Sequence, residues 1–278
     1  MRRMCGKTAC LSKSGNEKIV MMNDNTMNAE GTYIYAIIAV QAPEKFGPIG
    51  IGGRGDECRT VHHEGLAAVV SVSPAKKYKV SRDNLLAHEK VIEAVMLSHT
   101  VLPVRFGTVA DNEEKVKLIL AREYDRFLEL LSNLEGKREL GVKAMFKEEA
   151  VFKMILDKYE DIRAMKEKIA ALPAEKTHFQ RAEIGRMVEI ALQKEKDTRQ
   201  AVLLDALTPL ALEVKTNGLY GDMMILNAAF LVEQSREPEF DRKVQELADQ
   251  DGETVKYKYI GTVPPFNFVN LVISMGDL

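Results

Sequence analysis

The sequence predicts an α+β protein of two domains: an N-terminal ferredoxin-like sheet with helices on one face, and a C-terminal helix-rich α+β domain. In the first half, short runs of strand type alternate with amphipathic helical patterns, whereas from Glu148 the pattern is helical until about Leu212. The chain has 278 residues, 46% of them hydrophobic, which suits two compact domains. We expect a disordered tail at 1–31, which lacks any apolar period, and domains at 32–148 and 149–278.

The N-terminal domain is predicted to follow the order strand, strand, helix, strand, helix, strand. Its strands are expected at 32–40, 66–72, 101–106 and 140–146. One helix begins after Ser81 as N-cap and ends near Leu97, and a second begins at a capping box of Asp111 and Glu114. Because proline cannot donate to a sheet, Pro103 predicts an edge or a strand start. Two helices would then cover one face of a mostly antiparallel sheet.

The C-terminal domain is predicted to begin with two long helical patterns separated at Pro173. The apolar stripe does not continue through regular heptads, so a helical hairpin is favoured over a coiled coil. The expected remaining elements are strands at 212–220 and 223–232 around a turn at Gly221, a helix at 239–249, and strands at 255–261 and 266–273.

Composition limits the classes of partner and compartment. The formal net charge of −2 provides no broad basic field for nucleic acid or an anionic membrane. Three cysteines, an odd number in a chain of this size, argue against a disulfide framework. No apolar run approaches the roughly 20 residues needed to cross a bilayer. We therefore expect a protein of the reducing cytoplasm.

A glycine-rich segment, Gly50-Ile-Gly-Gly-Arg-Gly55, matches the G-x-G-x-x-G pattern of dinucleotide sites. In that fingerprint the last glycine opens a helix whose N-terminus holds the pyrophosphate. Here a strand-like sequence with two carboxylates follows instead, at 56–61. The segment is interpreted as an ordinary loop.

The histidines do not form a metal-binding pattern. His62 and His63 are adjacent, so in a strand they point to opposite faces. His88 and His99 are several helical turns apart, too far to chelate one ion. No nucleophile motif, P-loop or C-x-x-C is present. We expect no cofactor, no metal and no catalytic residues.

Several segments together resemble the gas vesicle protein F/L family over residues 32–273. The most specific are the Leu-Pro-Val-Arg-Phe-Gly and Pro-Pro-aromatic segments. The matching segments, in chain order, are Tyr33-Ile-Tyr35, the glycine-rich loop, Gly65-Leu-Ala-Ala-Val-Val-Ser71, Thr100-Val-Leu-Pro-Val-Arg-Phe-Gly-Thr108, Ala229-Phe-Leu-Val232 and Gly261-Thr-Val-Pro-Pro-Phe-Asn-Phe-Val269.

The resemblance implies a non-enzymatic gas vesicle accessory or minor structural protein. Such a protein would bind the main gas vesicle shell protein, and other accessory proteins, and assist nucleation or assembly of the vesicle. We expect it in the cytoplasm and at the gas vesicle. The residues expected to contact the partner are Phe46, Arg105, Phe106, Pro264, Pro265 and Phe266.

An alternative from another class remains open at this point. The glycine loop with His99 and Arg105 could serve a small-molecule-binding regulatory or enzymatic α+β protein. For Arg105 alone, pairing with a local carboxylate or backbone group is the simpler interpretation.

Overall fold

The computed structural model describes residues 30–74, 77–269, 271 and 273, without the side chain of Ala174. The predicted tail at 1–31 lies outside these residues, except for Glu30 and Gly31, which begin the first strand. The described chain is mixed α+β, with two antiparallel sheets and seven α-helices. Within it, no helix has both the length and the apolar content required to span a membrane.

The elements are numbered in chain order. The strands are β1 Glu30–Ala39, β2 Lys45–Gly47, β3 Cys58–His63, β4 Leu66–Pro74, β5 Val101–Pro103, β6 Val109–Ala110, β7 Lys137–Phe146, β8 Glu213–Thr216, β9 Met224–Glu233 and β10 Val255–Val263. The helices are α1 Arg82–Met96, α2 Glu113–Arg122, α3 Tyr124–Leu134, α4 Glu148–Lys158, α5 Glu160–Ala170, α6 His178–Leu207 and α7 Glu237–Asp251.

The first sheet has the order β2-β3-β4-β1-β5, and β6 pairs with the start of β1. β1 is apolar without interruption from Tyr33 to Ile38, and a register shift between Ile34 and Ala36 bends it. Since successive strand side chains point to opposite faces of the sheet, both faces at β1 are apolar and both must be packed against other elements. α1 packs on one face and α2 with α3 on the other. The prediction that helices cover one face of this sheet is therefore wrong.

The ferredoxin-like order of elements lies in the second sheet, not in the first. The second sheet has the order β10-β7-β9-β8 and is built as strand, helices, strand, strand, helix, strand. The strand predicted at 140–146 to complete the first sheet is β7, and it pairs with β9 and β10. The first sheet gains instead β3, which follows the glycine-rich loop and pairs with β4. The domain boundaries themselves stay a prediction.

The second sheet is covered by helices on one face. The alternate residues Leu140, Val142 and Ala144 of β7 pack in one core with side chains of α4 to α7. The opposite face carries Gly141 and Lys143 of β7, which line an open cavity. The C-terminal segment that follows β10, at 264–269, closes one end of this opposite face.

The predicted helix ends are confirmed in most cases. The Ser81 side chain accepts from the backbone N–H of Asn84 and caps α1. The N-cap of α2 is Asn112, whose side chain accepts from Lys115, so the capping box assigned to Asp111 and Glu114 is off by one residue. α5 ends before Pro173, as predicted, and α6 then runs for 30 residues.

The C-terminal segment forms a turn where a strand was predicted at 266–273. The carbonyl of Pro264 accepts from the N–H of Phe266 at 2.7 Å, and that of Pro265 accepts from the N–H of Val269 at 2.9 Å. These short-range bonds replace strand pairing over the described residues. The buried carboxylate of Glu139 on β7 binds the turn, accepting from the backbone N–H of Asn267 at 3.0 Å and from its side-chain amide at 2.5 Å.

Replacing Glu139 should loosen this turn. Glu139→Ala leaves both Asn267 donors without their acceptor, and we expect a loss of about 2 kcal/mol in the free energy of unfolding, measured in urea. Hydrogen exchange at 266–269 should also become faster. Glu233→Ala, at the exposed end of β9, is the matched control. Equal stability of the two variants would contradict the role of Glu139.

Candidate functional site

The glycine-rich loop is a closed turn followed by β3. The N–H of Gly50 donates to Asp56 O at 3.0 Å, and Arg54 binds the Asp56 carboxylate through two bonds of 2.8 and 3.0 Å. A Cβ at Gly50 would lie 2.8 Å from Asp56 O, so glycine is required by the close approach of the backbone. No helix begins here. The structure thus lacks the strand–turn–helix context that a dinucleotide cradle needs.

A buried hydrogen-bonded chain passes through His88 of α1. The N–H of Gly107 donates to the hydroxyl of Tyr33 at 2.8 Å, and this hydroxyl lies 3.1 Å from His88 Nδ1. On the other side of the ring, Nε2 lies 3.1 Å from Val104 O. Because a carbonyl only accepts, Nε2 carries the proton and Nδ1 accepts from Tyr33. With a neutral imidazole, every polar atom in this series of hydrogen bonds from Gly107 to Val104 therefore has a partner.

The environment keeps His88 neutral. Burial lowers the pKa of His88 to about 4, and the hydrogen bond to the Val104 carbonyl offsets only part of this shift. Burial also raises the pKa of the Tyr33 hydroxyl above its ordinary value. The pair therefore stays uncharged through the neutral pH range and acts as a fixed hydrogen-bonded support for the loop after β5.

Three separate segments of the chain meet at the His88 ring. The ring lies at a centroid distance of 5.7 Å from Tyr33, 5.7 Å from Phe106 and 6.4 Å from Phe266. These residues belong to β1, to the loop after β5 and to the C-terminal turn. Three of the six sequence segments that carry the family resemblance are thus joined at one aromatic cluster, which we call the His88 cluster: Tyr33, His88, Phe106 and Phe266.

The predicted contact residues separate into three groups. Phe106 is half-buried in the His88 cluster, Phe266 is 41% exposed at its edge, and Arg105 next to Phe106 is exposed. Arg105 forms no ion pair with any described residue. The other three are the buried Pro264 and Pro265, and Phe46, which lies apart on β2 with its ring 6.3 Å from His99.

The alternative small-molecule site is not assembled. His99 Nε2 lies 2.8 Å from a carboxylate oxygen of Glu44, so its partner is on the β1–β2 connection rather than at Arg105. The N–H of Ile51 in the glycine loop donates to the Tyr35 hydroxyl at 2.7 Å. Among the described residues, no group of three His, Cys, Asp or Glu side chains is placed to hold a metal ion.

Sequence reasoning missed the central residues of this junction. The spacing of His88 from His99 excludes a shared metal ion but indicates no other role for His88, and no sequence pattern indicates a role for Glu139. The usable signal for His88 was its place among Val91, Ile92 and Val95 on one face of α1, which predicts burial. Glu139 offered no local signal, since its partner Asn267 is 128 positions away.

The fold and this junction define the class of protein: a two-sheet α+β chain in which three characteristic segments meet at one aromatic cluster around a buried histidine. The family model described as "Gas vesicle synthesis protein GvpL/GvpF" matches residues 31–270. The chain belongs to this family and has a gas vesicle-related role.

Individual relatives agree with this assignment. The chain is 30% identical over 248 residues to gas vesicle protein F of Nostoc sp., covering 87% of this chain and 99% of that protein. It is 26% identical to gas vesicle protein L of a Streptomyces species, over 86% of this chain and 92% of that protein. The crystal structure of GvpF from Anabaena sp. superposes with a TM-score of 0.73 at 28% identity, covering 88% of this chain and all of that one.

The His88 cluster should make stability depend on acid pH. A histidine pKa of about 4 in the folded state, against 6.5 unfolded, means that the unfolded state binds a proton first as pH falls. The contribution of neutral His88 to the free energy of unfolding is fully present above pH 6.5, and about 3 kcal/mol of it is lost between pH 6.5 and 4. His88→Gln can still accept from Tyr33 and donate to Val104, and it should lack this pH-dependent loss of stability. Urea unfolding across this range measures it, with His178→Gln on the exposed start of α6 as control. Parallel profiles for wild type and His88→Gln would count against a buried neutral imidazole.

Removing one hydroxyl should also weaken the loop after β5. In Tyr33→Phe the N–H of Gly107 loses its acceptor and His88 loses its donor, which should cost about 2 kcal/mol of unfolding free energy. Tyr220→Phe, on an exposed tyrosine, should change stability by less than about 0.5 kcal/mol. Chemical denaturation of the two variants provides the comparison. A similar small effect in both would show that the hydrogen bonds through the Tyr33 hydroxyl do not contribute to the free energy of unfolding.

Proposed function

We propose that this protein is a gas vesicle accessory or minor structural protein that binds the main shell subunit and assists nucleation or assembly of the vesicle. It acts by binding and not as an enzyme, in the cytoplasm and at the vesicle. The observation that carries the proposal is the family match over residues 31–270, together with relatives named as gas vesicle proteins F and L.

A physical requirement supports a binding role. A small shell subunit with an apolar gas-facing surface would aggregate if it were released alone, because exposed apolar surface and free strand edges pair with one another. A partner that covers such a surface during delivery would prevent this. The two α+β units of the chain, taken as domains at 32–148 and 149–278, would present that surface jointly.

The proposed contact surface is the exposed side of the His88 cluster. Phe266 supplies exposed apolar area, and Arg105 supplies a cation that no described carboxylate neutralises. Both are held by the buried parts of the same cluster, so the surface is preorganised. Pro264 and Pro265 contribute through the rigid turn that positions Phe266, and Phe46 forms a separate, smaller contact.

Co-expression with the main shell subunit tests the proposal. We expect wild type to retain the shell subunit in a pull-down, and Phe266→Asp to lose most of it, because a carboxylate would replace an apolar contact. The matched control is Phe179→Asp, since Phe179 is 86% exposed on α6, away from the cluster.

Circular dichroism must show that both variants stay folded, since Phe266 also packs on His88. Failure of the wild-type chain to retain the shell subunit would reject direct binding. Equal loss in Phe179→Asp would reject the assigned surface.

A further inference from the structure

An open crevice separates α1 from the uncovered face of the second sheet. A cavity of 470 Å³ lies between Glu89 of α1 and the sheet residues Gly141, Ala229 and Ile260. A second cavity of 350 Å³ continues along α1, between Glu93 and the end of the sheet at Arg138. Both cavities border the same helix, so the crevice follows α1.

The outer side of α1 carries apolar side chains, two carboxylates and one lysine. Leu86, Lys90, Glu93 and Leu97 lie on this side, opposite the buried His88, Val91 and Val95, and Glu89 is next to them. Of these residues, Glu89, Glu93 and Leu97 line the cavities. Leu86 is 51% exposed and Leu97 is 90% exposed, although both are large apolar side chains. From Leu86 to Leu97 the helix rises about 16 Å, which matches about three helical turns.

Only some of the carboxylates of the crevice have hydrogen-bond partners among the described residues. Glu139 accepts from Asn267, and Glu237 accepts from Thr262 at 2.9 Å. Glu89 and Glu93 stand one turn apart on α1, and neither forms an ion pair with a described residue. Burial, together with the charge of Glu93, raises the pKa of Glu89. The cations of the crevice, Arg138 and Lys143, belong to the opposite, sheet wall.

The geometry favours a helix over a strand as occupant. The crevice exposes the face of the second sheet, where the strands are already paired with each other, so an inserted strand would find no backbone partners. A helix satisfies its backbone hydrogen bonds internally and can bury an apolar stripe in a groove. The glycine and alanine side of the crevice, Gly141 and Ala229, leaves room for that stripe.

We propose that this crevice binds one amphipathic helix of a partner protein, with apolar side chains against Ile260 and Phe266 and basic side chains against Glu89 and Glu93. Phe266 lines the crevice and also belongs to the contact surface described above. The identity of the partner that supplies the helix rests on the proposed function. The chemistry by which the crevice recognises a helix does not.

A synthetic helix tests the chemistry without the natural partner. The probe is a 14-residue peptide of leucine and lysine at amphipathic spacing, and a leucine–glutamate peptide of the same pattern is the sign control. Fluorescence anisotropy with the full chain should show saturable binding of the lysine peptide only. Glu89→Lys/Glu93→Lys should weaken it by about tenfold or more, because like charges then face each other. Glu129→Lys/Glu167→Lys, with the same charge change on exposed positions of α3 and α5, should stay within about twofold.

Several outcomes would overturn the proposal. They are equal binding of both peptides, equal effects of the two double variants, or no hydrogen-exchange protection of α1 on peptide binding. Binding that appears only after deletion of residues 1–29 would assign the crevice to the chain's own N-terminus. Self-association that Glu89→Lys/Glu93→Lys abolishes would assign it to a second copy.

The same variants separate this inference from the proposed function. If the lysine peptide binds at Glu89 and Glu93 but the shell subunit is not retained in the pull-down, the crevice stands and the shell-binding role falls. If the shell subunit is retained equally by Glu89→Lys/Glu93→Lys and the peptide does not bind, the shell-binding role stands and the crevice assignment falls.

Discussion

The buried carboxylate of Glu139 joins the second sheet to the C-terminal turn that packs against the core of the first sheet. It lies on β7 of the second sheet and binds both donors of Asn267 in the C-terminal turn. From this turn Phe266 reaches the His88 ring, and Val269 and Leu271 enter the core under α2 and α3. One carboxylate thus connects the second sheet to both layers of the first. Burial raises the pKa of Glu139, so the connection carries a desolvation cost that its two hydrogen bonds must offset.

The elements of the fold were predictable where the signal was local. The apolar run of β1, the Ser81 cap of α1 and the break before Pro173 depend on near neighbours, and each is found where the sequence places it. The assignment of β7 to the first sheet is wrong because its pairing depends on β9 and β10, whose paired residues lie 79 to 124 positions later in the chain, and no local pattern specifies such pairing. The same limit explains why the ferredoxin-like order was placed in the wrong half.

The candidate site was predictable only in part. The motif residues Phe106 and Phe266 were named from sequence, and the structure brings them to one imidazole. The spacing of the histidines excludes a shared metal site but does not reveal what His88 does, which is to accept from Tyr33 and donate to Val104. A satisfied buried histidine has no sequence signature beyond an apolar helix face. Pro264 and Pro265, also predicted to contact the partner, are buried in the turn that holds Phe266.

The two faces of α1 obey different rules. Its inner face combines burial with full hydrogen bonding at His88, so every local feature agrees with the fold. Its outer face breaks two rules at once: Glu89 and Glu93 repel at one-turn spacing, and Leu97 is almost fully exposed. Neither feature stabilises the isolated chain. Local choices that oppose stability are concentrated where a protein meets something else. The helix that supports the His88 cluster from within therefore carries the proposed partner surface on its outer side.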